Sequence, residues 1–231
     1  STLSSSSAAS DVYKRQTVYN AGGVYSAPMA EFVLGGILQL YKESKFFAGN
    51  QAAHRWEKHR GLRELSGKTA CIIGTGSVGS AIARRLRAFD VQTVGMNRSG
   101  HPAAEFDQTQ PTCRLDDLLP LADLVICAMP LTAETAGLFD SVRIAKIKPG
   151  AVFVNVARGK VTDQQALVEA LQSGQLFGAV LDVFEEEPLP RSSPLWDMEQ
   201  VILTPHNSFV GEHNGERLFR LICKNLESFA Q

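Results

Sequence analysis

Residues 69–79 read TACIIGTGSVG, and this stretch decides the fold. An apolar run predicted as a strand, Thr69–Ile73, leads into three glycines spaced GxGxxG, and helical spacing follows over residues 78–89. Glycines at this spacing permit a tight turn, a close approach of the backbone to a pyrophosphate, and tight packing of helix against strand. An ordinary glycine-rich turn is the alternative. The pattern predicts a dinucleotide site whose contacts are Gly74, Gly76, Ser77, Val78 and Gly79.

Short apolar strands alternate with helical segments after this stretch. Further strands are predicted over residues 91–96, 124–129, 151–157, 178–184 and 201–204. This alternation predicts right-handed crossovers and therefore the α/β class, with a Rossmann-like doubly wound parallel sheet. Between the fourth and fifth predicted strands, Thr162 and Gln165 have the spacing of a helix-starting capping box, and Gly174 has the place of a helix stop.

Three segments lie outside this alternation. Apolar residues recur at helical spacing over residues 28–47, where Gly35 and Gly36 either weaken the helix or let another element approach closely. Residues 51–63 are polar and predict an exposed connector. Residues 212–231 again have helical spacing, so we expect a final helix there.

Composition argues against several classes of function. The 231 residues carry 23 Lys plus Arg and 24 Asp plus Glu, without the basic surplus of a general nucleic-acid or anionic-membrane binder. No apolar run is long enough to cross a bilayer as a helix. The four cysteines have neither metal-ligand nor redox spacing, and Cys71 and Cys127 are expected in the core. We therefore expect a cytoplasmic protein without metal, disulfides, nucleic-acid partner or membrane partner.

The first sixteen residues differ in character from the rest. Residues 6–16 read SSAASDVYKRQ, follow a serine run, and lack the apolar segment of a signal peptide. They resemble the translation of a transposon-type sequencing adapter, although a disordered natural tail is the alternative. We expect residues 1–16 to be a non-native tail and the chain to be a fragment of a longer protein.

The residues after the second predicted strand bear on the choice of cofactor. In NAD-binding proteins of this class, an acidic residue about twenty positions beyond the glycines holds the ribose hydroxyls. Here that place holds Asn97, followed by Arg98 and Ser99, so no carboxylate is expected to repel a 2′-phosphate. Arg98 can bind such a phosphate and Ser99 can donate to it. We predict NADP(H) as the favoured cofactor and NAD(H) as the alternative, in which Arg98 is a solvated charge.

Three later motifs resemble the D-isomer-specific 2-hydroxyacid dehydrogenase family. They are NVARG at residues 155–159, DVFEEEP at residues 182–188 and TPH at residues 204–206, with PLT at residues 130–132 and Thr135 as a further similar segment. The likeness runs from about residue 17 to the end. It implies an NAD(P)-dependent enzyme, commonly a homodimer, that interconverts a small 2-keto acid and a D-2-hydroxy acid, such as a glyoxylate/hydroxypyruvate reductase or a phosphoglycerate dehydrogenase relative. A non-catalytic NAD(H)-sensing regulator on the same fold is the alternative.

The resemblance implies three catalytic residues. Arg158, at a predicted strand end, would bind the substrate carboxylate and polarise the ketone. The alternative is that Arg158 only forms a surface salt bridge. His206 would be the general acid in reduction and the base in oxidation, since imidazole titrates near neutral pH. Glu187, directly before a proline, would pair with His206 and orient its ring. Glu185 and Glu186 are expected to be solvated charges.

The resemblance also implies further cofactor contacts. Asp182 would bind the nicotinamide carboxamide, with a turn or capping role as its alternative. By the same analogy Pro130, Thr135 and Ala157 would lie along the cofactor.

Family members have a second, smaller domain built from the N-terminal part and the final helix. We accordingly expect residues 17–60 to form an interdomain helix and connector, residues 61–208 the dinucleotide-binding domain, and residues 209–231 a helix that returns to the second domain. Without the loop that grips the substrate from the other side, this chain is expected to bind cofactor and to turn over poorly or not at all.

Overall fold

A seven-stranded parallel sheet forms the centre of the computed structural model, which describes residues 19–229. The strands are β1 (Thr69–Ile73), β2 (Gln92–Asn97), β3 (Gln108–Pro111), β4 (Leu124–Cys127), β5 (Val152–Asn155), β6 (Gly178–Leu181) and β7 (Val201–Leu203). Their order in the sheet is β3-β2-β1-β4-β5-β6-β7. The chain moves outward from β1 to β3 and returns to β4 on the other side of β1. The predicted doubly wound sheet is thus confirmed, and its switch point lies between β1 and β4.

Helices cover both faces of the sheet. They are α1 (Ser26–Tyr41), α2 (Ser44–Ala52), α3 (Ser77–Arg87), α4 (Leu115–Leu118), α5 (Ser141–Lys146), α6 (Gln164–Gln172) and α7 (Asn214–Phe229). Side chains of α1 and α3 pack on one face, and those of α4, α5 and α6 on the other. Because successive strand residues point to opposite faces, Ile72 joins the first cluster while Cys71 joins the second. Cys71 and Cys127 are buried in the core, as predicted.

The first helical segment is two helices rather than one. Helix α1 ends at Tyr41, and Glu43 has φ +53°, a left-handed conformation that ends the helix before α2 begins. The prediction of one helix over residues 28–47 was wrong, because apolar spacing continues across this break. Within α1, a side chain at Gly36 would lie 2.5 Å from Cγ1 of Val180, whereas Gly35 has nothing within 4 Å. The absence of a side chain at Gly36 therefore lets Val180 of β6 pack closely against α1. Close approach of another element was one of the two interpretations of these glycines.

The edge strand β3 is the strand that the sequence did not predict. Its residues, QTQP, are polar, and the strand pairs with β2 alone, so no alternation of apolar residues marks it. Asp107, just before it, accepts hydrogen bonds from the backbone N and the Oγ1 atom of Thr93, at 2.8 and 2.9 Å. These bonds hold the start of the edge strand against β2.

The start of α6 also differs from the sequence prediction. Asp163, rather than Thr162, is the N-cap, and its side chain accepts a hydrogen bond from the Ala166 amide at 3.0 Å. Thr162 is buried with its hydroxyl 3.4 Å from Nδ2 of Asn155, so the predicted capping box is wrong. Gly174 follows the helix end with φ +75°, as expected of a stop.

Strands β4, β5, β6 and β7 end earlier than predicted. Each is three or four residues long, and the apolar residues that follow leave the sheet to form loops at its carboxyl edge. These loops carry most of the candidate site.

Two segments, the connector after α2 and the final helix, are largely exposed. Residues 53–62 are exposed, and Trp56 has 96% of its surface accessible. Helix α7 is where a final helix was predicted, and its apolar residues Leu218, Phe219, Ile222 and Leu226 are exposed. No helix in residues 19–229 has the length and apolar character needed to cross a membrane. The expected non-native tail lies outside the described residues, and the predicted domain boundaries stay a prediction.

Candidate active site

The glycine loop between β1 and α3 has the shape that a dinucleotide pyrophosphate requires. A Cβ atom on Gly74 would lie 2.6 Å from the Ala128 carbonyl oxygen, and one on Gly79 would lie 1.8 Å from the Gly74 carbonyl oxygen. These two glycines therefore serve close packing. Gly76 instead faces open space, with nothing within 4 Å of its Cβ position. An anion can approach the backbone at this point.

The start of α3 is prepared for negative charge. Ser77 is its first residue, Val78 is half-buried, and among the described side chains none caps the first N–H groups or adds a carboxylate to the first turn. Free N–H groups and the helix dipole favour an anion at such an end. The residues present therefore fit the pyrophosphate of a dinucleotide.

Asn97 at the end of β2 shapes the loop that follows. Its Nδ2 atom donates to the carbonyl oxygen of His101 at 2.7 Å and to Oγ1 of Thr75 at 3.2 Å, and its Oδ1 atom accepts from the His101 amide at 3.0 Å. This amide ties the loop of residues 97–101 to the glycine loop and leaves Arg98 and Ser99 exposed at the tip. The part played by Thr75 had no sequence signal, because its position in GxGxxG is unrestricted.

A carboxylate from a different loop lies beside Arg98. The Nη2 atom of Arg98 is 3.4 Å from Oε2 of Glu134, which belongs to the loop after β4. Glu134 is 36 residues beyond Arg98 in the chain, so the residues adjacent to Asn97 gave no sign of it. The end of β2 itself carries Asn97 and no carboxylate, as the sequence indicated.

Pro130 and Thr135 lie in that same loop after β4. The Thr135 hydroxyl donates to the carbonyl oxygen of Pro130 at 2.8 Å and accepts from the Thr132 amide at 2.7 Å. The hydroxyl thus holds the turn itself together. The loop begins next to the Gly74 position, because Ala128 is the residue that a Gly74 side chain would strike. Contacts of Pro130 and Thr135 with a cofactor stay a prediction.

Arg158 follows β5 at the carboxyl edge and is exposed, and its Nη1 atom donates to the Ala157 carbonyl oxygen at 2.6 Å. Asn155 shapes this strand end: its Oδ1 atom accepts from the Ala157 amide, and its Nδ2 atom donates to the Arg158 carbonyl oxygen, each at 3.0 Å. A Cβ atom on Gly159 would lie 1.8 Å from the carbonyl oxygen of Phe184. Glycine at this position therefore lets the Arg158 loop pack directly on the loop that carries Glu187.

Glu187 and His206 form a pair between two neighbouring loops. Oε2 of Glu187 is 2.8 Å from Nδ1 of His206, and Oε1 accepts from the Phe184 amide at 3.0 Å. Burial raises the pKa of Glu187, but the Phe184 amide, the hydrogen bond and charge of His206 and the charge of Arg158 together bring that pKa below its ordinary value. The structure thus brings the three predicted catalytic side chains into one electrostatic group.

Asp182, at the end of β6, braces the loop that holds His206. It is 1% exposed, and its carboxylate accepts hydrogen bonds from Oγ1 of Thr204 at 2.5 Å, from the Asn207 amide at 2.7 Å and from the Ser208 amide at 3.0 Å. Its carbonyl oxygen accepts from the His206 amide at 2.8 Å. These contacts correspond to the turn role that the sequence left open. Binding of a nicotinamide carboxamide by Asp182 stays a prediction.

The backbone of His206 has an unfavourable left-handed conformation, and hydrogen bonds to Asp182 stabilise the loop that contains it. Its φ is +52°, in the left-handed region, which costs a residue with a side chain about 1 kcal/mol. Such conformations persist where surrounding contacts determine them, and they concentrate at functional sites. The bonds from Asp182 supply those contacts here.

One of the three consecutive glutamates has a structural role that was not expected. Oε1 of Glu185 accepts a hydrogen bond from the Gln164 amide at 2.8 Å, at the first residue of α6. Glu185 therefore fixes the start of α6 against the Glu187 loop and is more than the solvated charge that was predicted. Glu186 is exposed, as expected.

A mostly apolar cleft of about 580 Å³ lies beside the Glu187–His206 pair. Besides the pair, it is lined by Phe184, Pro188, Leu189, Trp196, Leu203, Thr204 and Pro205. A small organic molecule can therefore reach the imidazole from this side. Within residues 19–229, no three His, Cys, Asp or Glu side chains are grouped as metal ligands would be.

Comparison with known proteins identifies the family of the chain. Residues 34–208 match the family model described as D-isomer specific 2-hydroxyacid dehydrogenase, NAD binding domain. The chain is 40% identical to a glyoxylate reductase of Pyrococcus furiosus over 166 residues, which are 72% of this chain and 49% of that protein. It is 38% identical to glyoxylate/hydroxypyruvate reductase B of Citrobacter koseri over 79% of this chain and 58% of that protein.

A solved structure is similar over most of the chain. The D-isomer specific 2-hydroxyacid dehydrogenase of Xanthobacter autotrophicus Py2, in complex with NADPH and MES, aligns with a TM-score of 0.74 and 35% identity over 83% of this chain and 60% of that one. The chain thus spans about half to three fifths of the length of these three proteins. Since the family model matches residues 34–208, three quarters of the chain and the whole sheet, the chain belongs to the D-isomer specific 2-hydroxyacid dehydrogenase family.

Proposed function

We propose that the chain is the cofactor-binding part of an NAD(P)-dependent oxidoreductase that interconverts a small 2-keto acid and a D-2-hydroxy acid. The observation that carries this proposal is the 2.8 Å contact between Glu187 and His206, with Arg158 close enough to influence Glu187. A cation, a proton carrier and its orienting carboxylate are the groups that reduction of a 2-keto acid requires from a protein. Glyoxylate and hydroxypyruvate are the substrates that the names of the relatives suggest.

Each of the three side chains has a separate role in the reduction. The Arg158 guanidinium binds the substrate carboxylate through two parallel hydrogen bonds. Nδ1 of His206 is engaged by Glu187, so Nε2 is the atom that gives a proton to the developing alkoxide. Glu187, whose pKa is lowered, stays ionised and stabilises the imidazolium before that transfer. In oxidation the neutral imidazole accepts the proton instead.

The cofactor would be held at the glycine loop and along the carboxyl edge. Gly76 and the N-terminus of α3 would take the pyrophosphate, and the loop of residues 97–101 would take the adenosine ribose. A bound nicotinamide would supply the hydride in reduction and accept it in oxidation. We favour NADP(H) over NAD(H), because Arg98 and Ser99 follow β2 where a carboxylate would favour NAD(H), and because the similar Xanthobacter structure contains NADPH.

A homodimer is the assembly that we propose. Trp56 and the exposed residues 53–62 offer a surface that a second copy could cover. Sedimentation of the wild-type chain and of a Trp56→Ser variant measures this: a dimer that the variant weakens supports the proposal, and a monomer in both contradicts it. The cytoplasmic location stays a prediction.

The function is tested by pairing a binding measurement with a turnover measurement. NADPH fluorescence is titrated with the chain, and NADPH oxidation is then followed after addition of glyoxylate or hydroxypyruvate. We expect saturable binding and slow oxidation. A His206→Asn variant is expected to retain the binding and lose the oxidation. Binding without oxidation in a longer protein that includes the second domain would instead favour the NAD(H)-sensing alternative.

A further inference from the structure

The Arg98–Glu134 pair joins two loops on opposite sides of the glycine loop. Arg98 follows β2 and Glu134 belongs to the loop after β4, and these strands flank β1 on its two sides. The contact between Nη2 of Arg98 and Oε2 of Glu134, at 3.4 Å, therefore spans the carboxyl end of β1. The ribose of a dinucleotide bound at the glycine loop would meet this pair.

The turn that carries Glu134 holds its carboxylate in place. The Thr132 hydroxyl donates to Oε2 of Glu134 at 3.0 Å. The backbone of the turn is closed by the bond from the Thr132 amide to Oγ1 of Thr135 and by the bond from the Ala136 amide to the Thr132 carbonyl oxygen, at 2.7 and 2.9 Å. On the other side, Asn97 fixes the loop from which Arg98 projects. Both charges thus extend from braced loops.

The pair matters more for a ligand than for stability. The side chains of Arg98 and Glu134 are 87% and 72% exposed, and ion pairs that are so exposed contribute little to folding. A 2′-phosphate that binds Nη2 of Arg98 competes with Glu134 for that donor. It also brings its own negative charge close to that carboxylate, which is unfavourable at short range even in salt. A ribose with a free 2′-hydroxyl meets neither obstacle.

We propose that Glu134 is a specificity-determining residue that opposes NADP(H), because it competes with the 2′-phosphate for Arg98 and repels that phosphate. This inference rests on the proposed binding of a nicotinamide dinucleotide, and it deepens that proposal. The preference that Arg98 gives to NADP(H) is consequently reduced, and NAD(H) remains an acceptable cofactor.

The test is a set of dissociation constants for NADPH and NADH, measured by titration with the wild-type chain, E134Q and E216Q. Glutamine keeps the size of the side chain and its acceptor for Thr132. E216Q is the matched control, because Glu216 is also an exposed carboxylate paired with an arginine, Arg220, but on α7. We expect E134Q to tighten NADPH binding roughly three- to tenfold and to change NADH binding by less than about twofold, and E216Q to change neither. The gain for NADPH should shrink at high salt.

Repeating the E134Q measurement in an R98Q variant shows whether Glu134 acts by competing for Arg98. In R98Q, no arginine remains to compete for, so the gain from E134Q should be smaller there. An unchanged NADPH constant in E134Q, or equal gains for both cofactors, overturns the proposal, and so does an undiminished gain in R98Q. Failure of the proposed function is distinguishable: a chain that binds both nucleotides but oxidises neither with any 2-keto acid loses the enzymatic function while the inference stands. A folded wild-type chain that binds neither overturns both.

Discussion

Oε2 of Glu187 lies 2.8 Å from Nδ1 of His206, while Oε1 of the same carboxylate accepts the Phe184 amide at 3.0 Å. Both oxygens are thus held, and the ring is aimed by a carboxylate that is itself fixed to the backbone. The second ring nitrogen of His206 is left for a substrate. Four predictions follow from this site and from the fold that supports it.

The Glu187–His206 pair should make stability depend on pH in the acid range. Since the pKa of Glu187 is lowered on folding, its ionised form stabilises the fold at neutral pH, and this contribution is lost as the pH falls through the lowered pKa. Urea unfolding should therefore find Glu187→Gln less stable than the wild type at neutral pH. The difference between the two should begin to narrow as the pH falls below the ordinary glutamate pKa of about 4.3, and it should close only below the lowered pKa of Glu187. Glu186→Gln, one residue away and exposed, should have the same free energy of unfolding as the wild type at every pH. A difference in stability between Glu187→Gln and the wild type that does not change with pH would contradict this prediction.

Asp182 should matter to His206 through the loop that it braces. Asp182→Asn replaces one oxygen by an NH₂ group facing backbone donors, so we expect a loss of about 1–3 kcal/mol in the free energy of unfolding. The larger effect should be on kcat and on the pH–rate profile, because the loop that carries the left-handed His206 loses the side-chain contacts to its Asn207 and Ser208 amides. Asp197→Asn, an exposed carboxylate, should change stability by less than about 0.5 kcal/mol. A variant that loses stability but retains kcat and the profile would reduce Asp182 to a structural residue.

Arg158 should act through the geometry of its guanidinium as well as through its charge. Arg158→Lys keeps the charge but cannot form two parallel bonds to a carboxylate, so kcat/KM for a 2-keto acid should fall by roughly tenfold or more. Cofactor dissociation constants should stay unchanged. Arg220→Lys on α7 is the conservative control. If lysine at position 158 sustains wild-type kcat/KM, Arg158 does not bind the carboxylate in the proposed way.

The convergence of the candidate catalytic residues was predictable from the sequence. Arg158 and His206 each follow an apolar run, and parallel strands end at a common edge, so these side chains could be expected to meet. The spacing could not choose among three consecutive glutamates, and only the family resemblance singled out Glu187. Glu185 has a helix-start contact that no local pattern indicates, because its partner Gln164 lies 21 residues earlier.

The features that the sequence missed are polar and depend on distant partners. Strand β3 has no apolar alternation, so its identity depends on pairing with β2 rather than on its own residues. The contact of Glu134 with Arg98 exists only because β2 and β4 flank β1. Apolar periodicity reports burial well but says nothing of which polar groups the fold brings together.

The two adjacent glycines of α1 offer a stringent check on the packing that supports the sheet. Gly35→Ala places its methyl group where nothing lies within 4 Å, so the better helix propensity of alanine should raise the free energy of unfolding by up to about 1 kcal/mol. Gly36→Ala places the same group 2.5 Å from Cγ1 of Val180, a stiff and fully buried side chain, so overpacking should lower the free energy of unfolding by about 1–3 kcal/mol. Urea titrations of both variants measure the difference. Changes of the same sign would mean that α1 does not lie against β6 as the structure has it, whereas opposite signs can arise only if one face of this helix touches the strand and the other does not.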